Sequence, residues 1–339
     1  MKVLSQVAIG ALAGYTALQL GRRYIWSQRS FDWRNKRVVI TGGSRGLGLV
    51  IARQLAAKGA RLAICARSRS DLETATAELR HRGAEVIAAP CDVRDDHEVR
   101  SFIDGVTGRF GGVDVLLNVA GIISVGPLDS MTMADFEDSM QTNCWGALRM
   151  SQRVLPSMRD QGWGRIVNVA SLGGKRAVPH MLPYAASKFA LVGLSNGMRA
   201  ELKQENIFVT TACPGLMRTG SPRNAIFKSQ HREEYAWFSI GDSLPLMSMN
   251  AETAAAQILH ACQQGRGEVF IHSPLNIAIA LQNAFPEITQ DILAIAASVL
   301  PKMGGIGRAA AKGYESESAW SPSILTELTQ RAAAANNEL

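Results

Sequence analysis

The run Val38-Val39-Ile40-Thr41-Gly42-Gly43-Ser44-Arg45-Gly46-Leu47-Gly48 restricts the fold more than any other stretch of this chain. A short β-branched run reads as a parallel strand buried on both faces. The glycines behind it permit a tight turn and a close backbone approach. The helix expected from about Leu47 to Lys58 then aims its N-terminal amides at whatever anion sits before the turn. The spacing is Gly-x3-Gly-x-Gly, not the Gly-x-Gly-x-x-Gly of the commonest dinucleotide fingerprint. Taken alone, the cluster also fits an ordinary strand-to-helix turn.

The rest of the chain repeats the same alternation. Strands are predicted at Arg37–Thr41, Arg61–Cys65, Glu85–Ala89, Val113–Leu117, Arg165–Ala170, Phe208–Ala212 and Glu268–Ile271, with helical patterns between them, notably Ala134–Met158 and Tyr184–Gln204. This predicts an α/β fold, a doubly wound parallel sheet of the Rossmann type. In such sheets ligands sit at the carboxyl ends of the strands. Gly42, Ala66-Arg67, Asp92, Asn118, Ser171 and Pro214 each follow a predicted strand.

Tyr184-Ala185-Ala186-Ser187-Lys188 places a phenol and an amine one helical turn apart on one face. A lysine cation there is expected to stabilise the phenolate and lower the tyrosine pKa from about 10 towards the range of an acid/base catalyst. Tyr-Lys pairs at this spacing also arise by chance on solvated helices. Here the pair comes with the glycine turn, with Ser171 thirteen residues upstream and with Asn143 before that.

Together these residues resemble the short-chain dehydrogenase/reductase family over about Lys36 to Ser273. The motifs that carry the resemblance are the Thr41–Gly48 turn, Asp92-Val93, Asn118-Val119-Ala120-Gly121, Asn143, Ser171, Tyr184-x3-Lys188, and Pro214-Gly215 followed by Thr219. One position departs: Val119 stands where the family usually has a second Asn, a strand-stabilising position. The resemblance implies a nicotinamide cofactor and a small carbonyl or alcohol substrate. Tyr184 would be the acid/base and Ser171 would orient the substrate oxygen. Lys188 would tune Tyr184 and hold the nicotinamide ribose, and Asn143 would hold a water linking Lys188 to solvent. The expected cofactor-binding residues are Thr41, Gly42, Ser44, Arg45, Gly46, Leu47, Gly48, Arg67, Asp92, Val93, Asn118, Ala120, Gly121, Tyr184, Lys188, Pro214, Gly215 and Thr219.

Charge at the second strand bears on which cofactor. An acidic residue there would bond the ribose 2′-hydroxyl of NAD and repel the 2′-phosphate of NADP. The chain reads Ile64-Cys65-Ala66-Arg67-Ser68, with no carboxylate. Arg67, helped by Arg45, suits a phosphate, so NADP(H) is expected over NAD(H). Both also read as ordinary surface arginines. Asp92 suits the adenine amino group by resemblance, or serves as the N-cap of the next helix.

The 339 residues, 47% of them hydrophobic, support one such domain with additions. The expected division is an apolar segment at 1–30, a catalytic domain at 31–273 and a helical extension at 274–339. The five cysteines form no C-x-x-C pair, so neither a disulfide nor a metal site is expected, and the six histidines receive no role. Six of the seven net positive charges gather in residues 1–37, which excludes a nucleic-acid-binding face spread over the domain. Val3–Leu20 ahead of them is an 18-residue apolar stretch, at the lower edge of what spans a bilayer. Basic residues behind it would hold the catalytic domain on the cytoplasmic side of a membrane. A helix lying on the membrane surface, a helix packed on a partner or on the protein's own C-terminal part, or a signal peptide also fits.

The stretch Leu216–Asn250 holds Met217, Phe227, Trp237, Phe238, Leu244, Leu246, Met247 and Met249, which suit an adaptable apolar substrate pocket or the core of that segment. Beyond Ser273, Pro286 to about Leu300 reads as a helix with start and stop signals, Gly304-Gly305-Ile306-Gly307 as a flexible joint, and Ser323–Ala335 as an amphipathic helix. These pieces could cover the active site, pair subunits into a homo-oligomer, or rest on a membrane. Two other classes share the motifs: a nucleotide-sugar epimerase or dehydratase, and a non-catalytic NADP-binding scaffold or sensor.

Overall fold

The computed structural model describes residues 14, 16–17, 19–245, 247–271 and 274–339. Seven strands make one parallel sheet: β1 (Arg37–Thr41), β2 (Arg61–Ala66), β3 (Val86–Pro90), β4 (Val115–Asn118), β6 (Gly164–Val169), β7 (Ile207–Pro214) and β11 (Glu268–Ile271). Short β5 (Ser124–Val125), β8 (Leu216–Arg218), β9 (Ile226–Phe227), β10 (Ser248–Asn250) and β12 (Ala311–Lys312) stand outside it. The main order is β11-β7-β6-β4-β1-β2-β3. The chain winds one way from β1 through β3 and the other way from β4 onward, so the switch point lies between β1 and β4. Their last residues, Thr41 and Asn118, pair directly. The expected doubly wound sheet is therefore present.

Central strands are buried along their whole length, which is why they read as continuous apolar runs. The helices Gly46–Ala57 and Ala251–Gln263 cover one face with Leu55, Ile258 and Leu259. The helices Asp96–Phe110 and Gly146–Asp160 cover the other with Phe102, Val106, Met150 and Val154. A bidentate pair, Arg37 Nη2 to Asp114 Oδ1 at 2.6 Å and Nε to Oδ2 at 2.9 Å, ties β1 to the start of β4 at the end away from the switch point.

Several boundaries differ from expectation for local reasons. The predicted helix Ala134–Met158 is three pieces: Met133–Met140, a π-helical turn Gln141–Trp145, and Gly146–Asp160. The glycine joint is held, not loose: Ile306 N–H donates to Ser229 O at 3.0 Å, and Ser229 N–H donates to Gly307 O at 2.9 Å. The last helix is shorter than predicted, Glu327–Ala335 after a 3₁₀ turn at Ile324–Thr326.

Most of Val3–Leu20 lies outside the described residues. Among the described residues no helix is long and apolar enough to cross a membrane.

Candidate active site

The glycine turn is built to close tolerances. Gly42 has φ +67°, and a Cβ there would lie 3.0 Å from Ala120 Cα. A Cβ on Gly48 would lie 2.1 Å from Gly42 O, so only glycine lets the helix start this close to the strand. Thr41 Oγ1 accepts from Val119 N–H at 3.0 Å and Ala120 N–H at 3.1 Å, which locks the β1 turn to the β4 turn. Arg45 precedes the helix and offers it no side-chain cap. Thr219, which follows Pro214-Gly215, faces this turn: its Cβ is 4.0 Å from where a Gly46 Cβ would stand. A left-handed Gly46 at a helix N-terminus, with Arg45 beside it, is a cradle whose chemistry fits a dinucleotide pyrophosphate.

The second cluster forms at the carboxyl ends of β4 and β6. Asn143 sits in the π turn, a feature common at functional sites. Its Oδ1 accepts from Ile122 N–H at 2.8 Å, and its Nδ2 donates to Ile122 O at 3.1 Å and Ser187 Oγ at 2.9 Å. Ser187 in turn donates to Tyr184 O at 2.8 Å. Asn143 therefore fastens the helix Leu182–Leu202 to the β4 loop. A Cβ on Gly121 would lie 2.9 Å from Asn143 Oδ1 and 3.5 Å from Lys188 Nζ, so all three meet at one point. Ser171 caps a 3₁₀ turn, its Oγ accepting from Gly173 N–H at 3.0 Å, and a Cβ on Gly173 would lie 3.1 Å from Tyr184 Cε1 and 3.4 Å from Ser171 Oγ, so the two side chains meet there.

The electrostatics correct one expectation. Burial pushes the Tyr184 phenol up, and the Ser171 hydrogen bond offsets this only in part. Burial also lowers Lys188 to about 8. The Lys188 ammonium donates to Val169 O at 2.9 Å and lies 5.7 Å from the Tyr184 ring centroid. In this arrangement the tyrosine stands above its ordinary value, not below it, because burial disfavours the phenolate.

The remaining predicted residues take the following places in the fold. Asn118 turns into the helix layer, donating to Asn168 Oδ1 at 2.9 Å and Ala147 O at 3.3 Å. Asp92 is held by Arg94, Nη2 to Oδ2 at 2.7 Å, and does not cap the following helix; Asp95 does, accepting from His97 and Glu98 N–H. Val93 packs under Gly146 in the core. Arg67 is exposed, close enough to Asp92 and Lys312 to lower both their pKa values.

The Leu216–Asn250 aromatics are largely core. Phe227, Tyr235 and Phe238 are buried with Val125 and Met181, while half-buried Ile123, Val178, Tyr184, Leu216 and Trp237 pack around them. Met217 and Met249 pack on the other core, and Leu246 lies outside the described residues.

Two sets of residues escaped sequence reasoning. Glu234 is fully buried and accepts from Trp237 Nε1 at 2.7 Å while pairing with His180 Nδ1 at 2.7 Å, which joins the helix His231–Ser243 to the segment before Tyr184. A histidine four residues before the tyrosine was the only signal. The second set is Asn336-Asn337-Glu338, which lies on the glycine turn. In the sequence it reads as an ordinary polar helix end.

Comparison with known proteins agrees with this geometry. The family model for short chain dehydrogenase matches residues 36–228. The chain is 32% identical to Dehydrogenase/reductase SDR family member 7B of Danio rerio, over 85% of this chain and 94% of that protein. It is 37% identical to Ketoacyl reductase HetN of Nostoc sp. (strain PCC 7120 / SAG 25.82 / UTEX 2576), over 53% of this chain and 63% of that one. Among solved structures, a variant actinorhodin polyketide ketoreductase with NADPH is 30% identical with a TM-score of 0.64, covering 73% of this chain and 98% of its own.

Proposed function

The chain belongs to the short-chain dehydrogenase family, and from that premise we propose that it is an oxidoreductase interconverting a carbonyl and an alcohol with a nicotinamide cofactor. One observation carries the reading: Ser171, Tyr184, Lys188 and Asn143 converge at the carboxyl ends of the strands, beside a glycine turn shaped for a pyrophosphate. When bound, the cofactor supplies the hydride. The residues of this chain supply the rest. Ser171 hydrogen-bonds the substrate oxygen and orients it. Tyr184 gives that oxygen a proton in the reductive direction and takes it back in the oxidative one. A phenol whose pKa burial has raised is protonated at neutral pH, ready to donate. Lys188, lowered to about 8, is near the point where it can exchange protons with its surroundings.

The cofactor is NADP(H) in this reading. Arg45, Arg67 and Lys312 share one field: the two arginines lower the Lys312 pKa after burial has done so. A 2′-phosphate relieves such crowding, and NAD carries none. A relative solved with NADPH supports the preference. The substrate is a medium-sized apolar ketone or ketoacyl compound. Half-buried Ile123, Val178, Leu216 and Trp237 around Tyr184 support it, as do the ketoacyl and polyketide reductases among the relatives.

The test is absorbance at the reduced-nicotinamide band over a panel of β-keto esters and cyclic ketones, with NADPH and NADH side by side. Turnover favouring NADPH is expected, and Arg67→Ala should weaken NADPH more than NADH, by up to about tenfold for one lost charge-assisted contact. Equal use of both cofactors by the parent rejects the preference.

A further inference from the structure

On the reading that the glycine turn holds a nicotinamide dinucleotide, we propose that Asn336-Asn337-Glu338 is a resident competitor for that turn, which must leave before the cofactor's phosphates can bind. Three consecutive residues take three groups of the turn. Asn336 O accepts from Gly46 N–H at 2.9 Å. Asn337 Nδ2 donates to Ser44 O at 3.0 Å and to Asp71 O at 3.3 Å. Glu338 Oε2 lies 3.5 Å from Arg45 Nε. The other carboxyl oxygen, Oε1, lies 2.6 Å from where a Gly46 Cβ would stand. An acidic side chain thus sits at the helix N-terminus, where a phosphate is stabilised by the same amides and the same guanidinium.

The segment is seated, not merely adjacent. Asn224 Nδ2 donates to Glu338 O at 2.9 Å and to its Oε2 at 2.6 Å. Arg53 reaches Asn336 Oδ1 at 3.0 Å and Ala335 O at 2.9 Å. Asn336 Nδ2 donates to Thr219 O at 3.3 Å. A Cβ on Gly220 would lie 2.3 Å from Ala333 Cα, so the helix Glu327–Ala335 itself rests on the loop behind Thr219. The Gly46 amide cannot serve a phosphate oxygen and the Asn336 carbonyl at full strength together. The extension therefore acts as a gate on cofactor entry, and the phosphate-bearing cofactor displaces it through Arg45.

Isothermal titration with NADPH tests this in the full chain, in a chain lacking residues 336–339, and in Asn337→Ala, which keeps the segment but removes two of its hydrogen bonds. Hydrogen exchange of residues 327–338 in the full chain is followed with and without NADPH. The deletion is expected to bind NADPH at least tenfold more tightly and Asn337→Ala severalfold, with exchange at 336–338 rising when NADPH saturates the full chain. Equal affinities in all three, or added protection at 336–338 with NADPH, overturn the gate and make the segment a wall of the bound site. If none of the three binds NADPH or NADH, the dinucleotide reading fails and the gate falls with it. If the deletion does not fold, Asn337→Ala and the exchange measurement decide.

Discussion

Gly48 is the residue where geometry leaves least freedom. A methyl group there would meet Gly42 O at 2.1 Å, a contact that only backbone movement can relieve. Gly48→Ala should destabilise the protein by about 1–3 kcal/mol, the range for an overpacked site, read as a fall in thermal midpoint; an unchanged midpoint would mean the turn is looser than its distances. The motif residues were legible in the sequence because each proposed task tolerates few residue types: glycine for the close approach, and a Tyr and Lys at one-turn spacing for the proposed proton transfer. Asn118 and Asp92 were legible as polar residues after strands, but not where they point. Asn118 finds Asn168 across β6, and Asp92 finds Arg94 two residues on, partners that no local pattern announces. The Tyr184 phenol departs from the expected direction because burial, which a sequence does not show, raises its pKa.

Among the elements, the sheet strands were legible because doubly buried strands are apolar along their length. The interruption at Gln141–Trp145 was not, since a π turn changes backbone pairing without changing the helical pattern around it. The extension was legible as helices and opaque in its docking, because Arg45 and Glu338 meet only in the fold. That docking carries a pH signature. Burial raises Glu338 to about 7, with Arg45 and Asn224 pulling it down and Asp71 pushing it up. Burial likewise raises Asp242 to about 7 under the Glu327–Ala335 helix, where Thr329, Arg218 and the Met217 amide pull it down. Both carboxyls bind their protons more tightly when the extension is docked. Docking is therefore most stable below the ordinary carboxylate range and weakens as pH rises through about 7. Hydrogen exchange at residues 327–338 should accelerate between pH 5 and 8 by more than the intrinsic rate of the amides. A flat protection factor over that range would remove the coupling.

At the scale of the whole molecule, the switch point between β1 and β4 gathers the two halves of the proposed site: the glycine turn on one side and the Ser171, Tyr184, Lys188 and Asn143 cluster on the other, with Gly121 against both Asn143 and Lys188. The topology was legible from alternation alone, while the closing of residues 336–338 over the cradle depended on contacts nearly 300 residues apart in the chain. The central claim is that Tyr184 passes the proton. The most direct measurement is steady-state turnover of a ketone that the parent reduces, compared with Tyr184→Phe in the full chain, with NADPH affinity measured in both by titration. Removing the one transferable proton while keeping the ring should lower kcat by on the order of 10²–10⁴-fold and leave NADPH affinity within about twofold. A Tyr184→Phe protein that turns over within a few-fold of the parent would contradict the account.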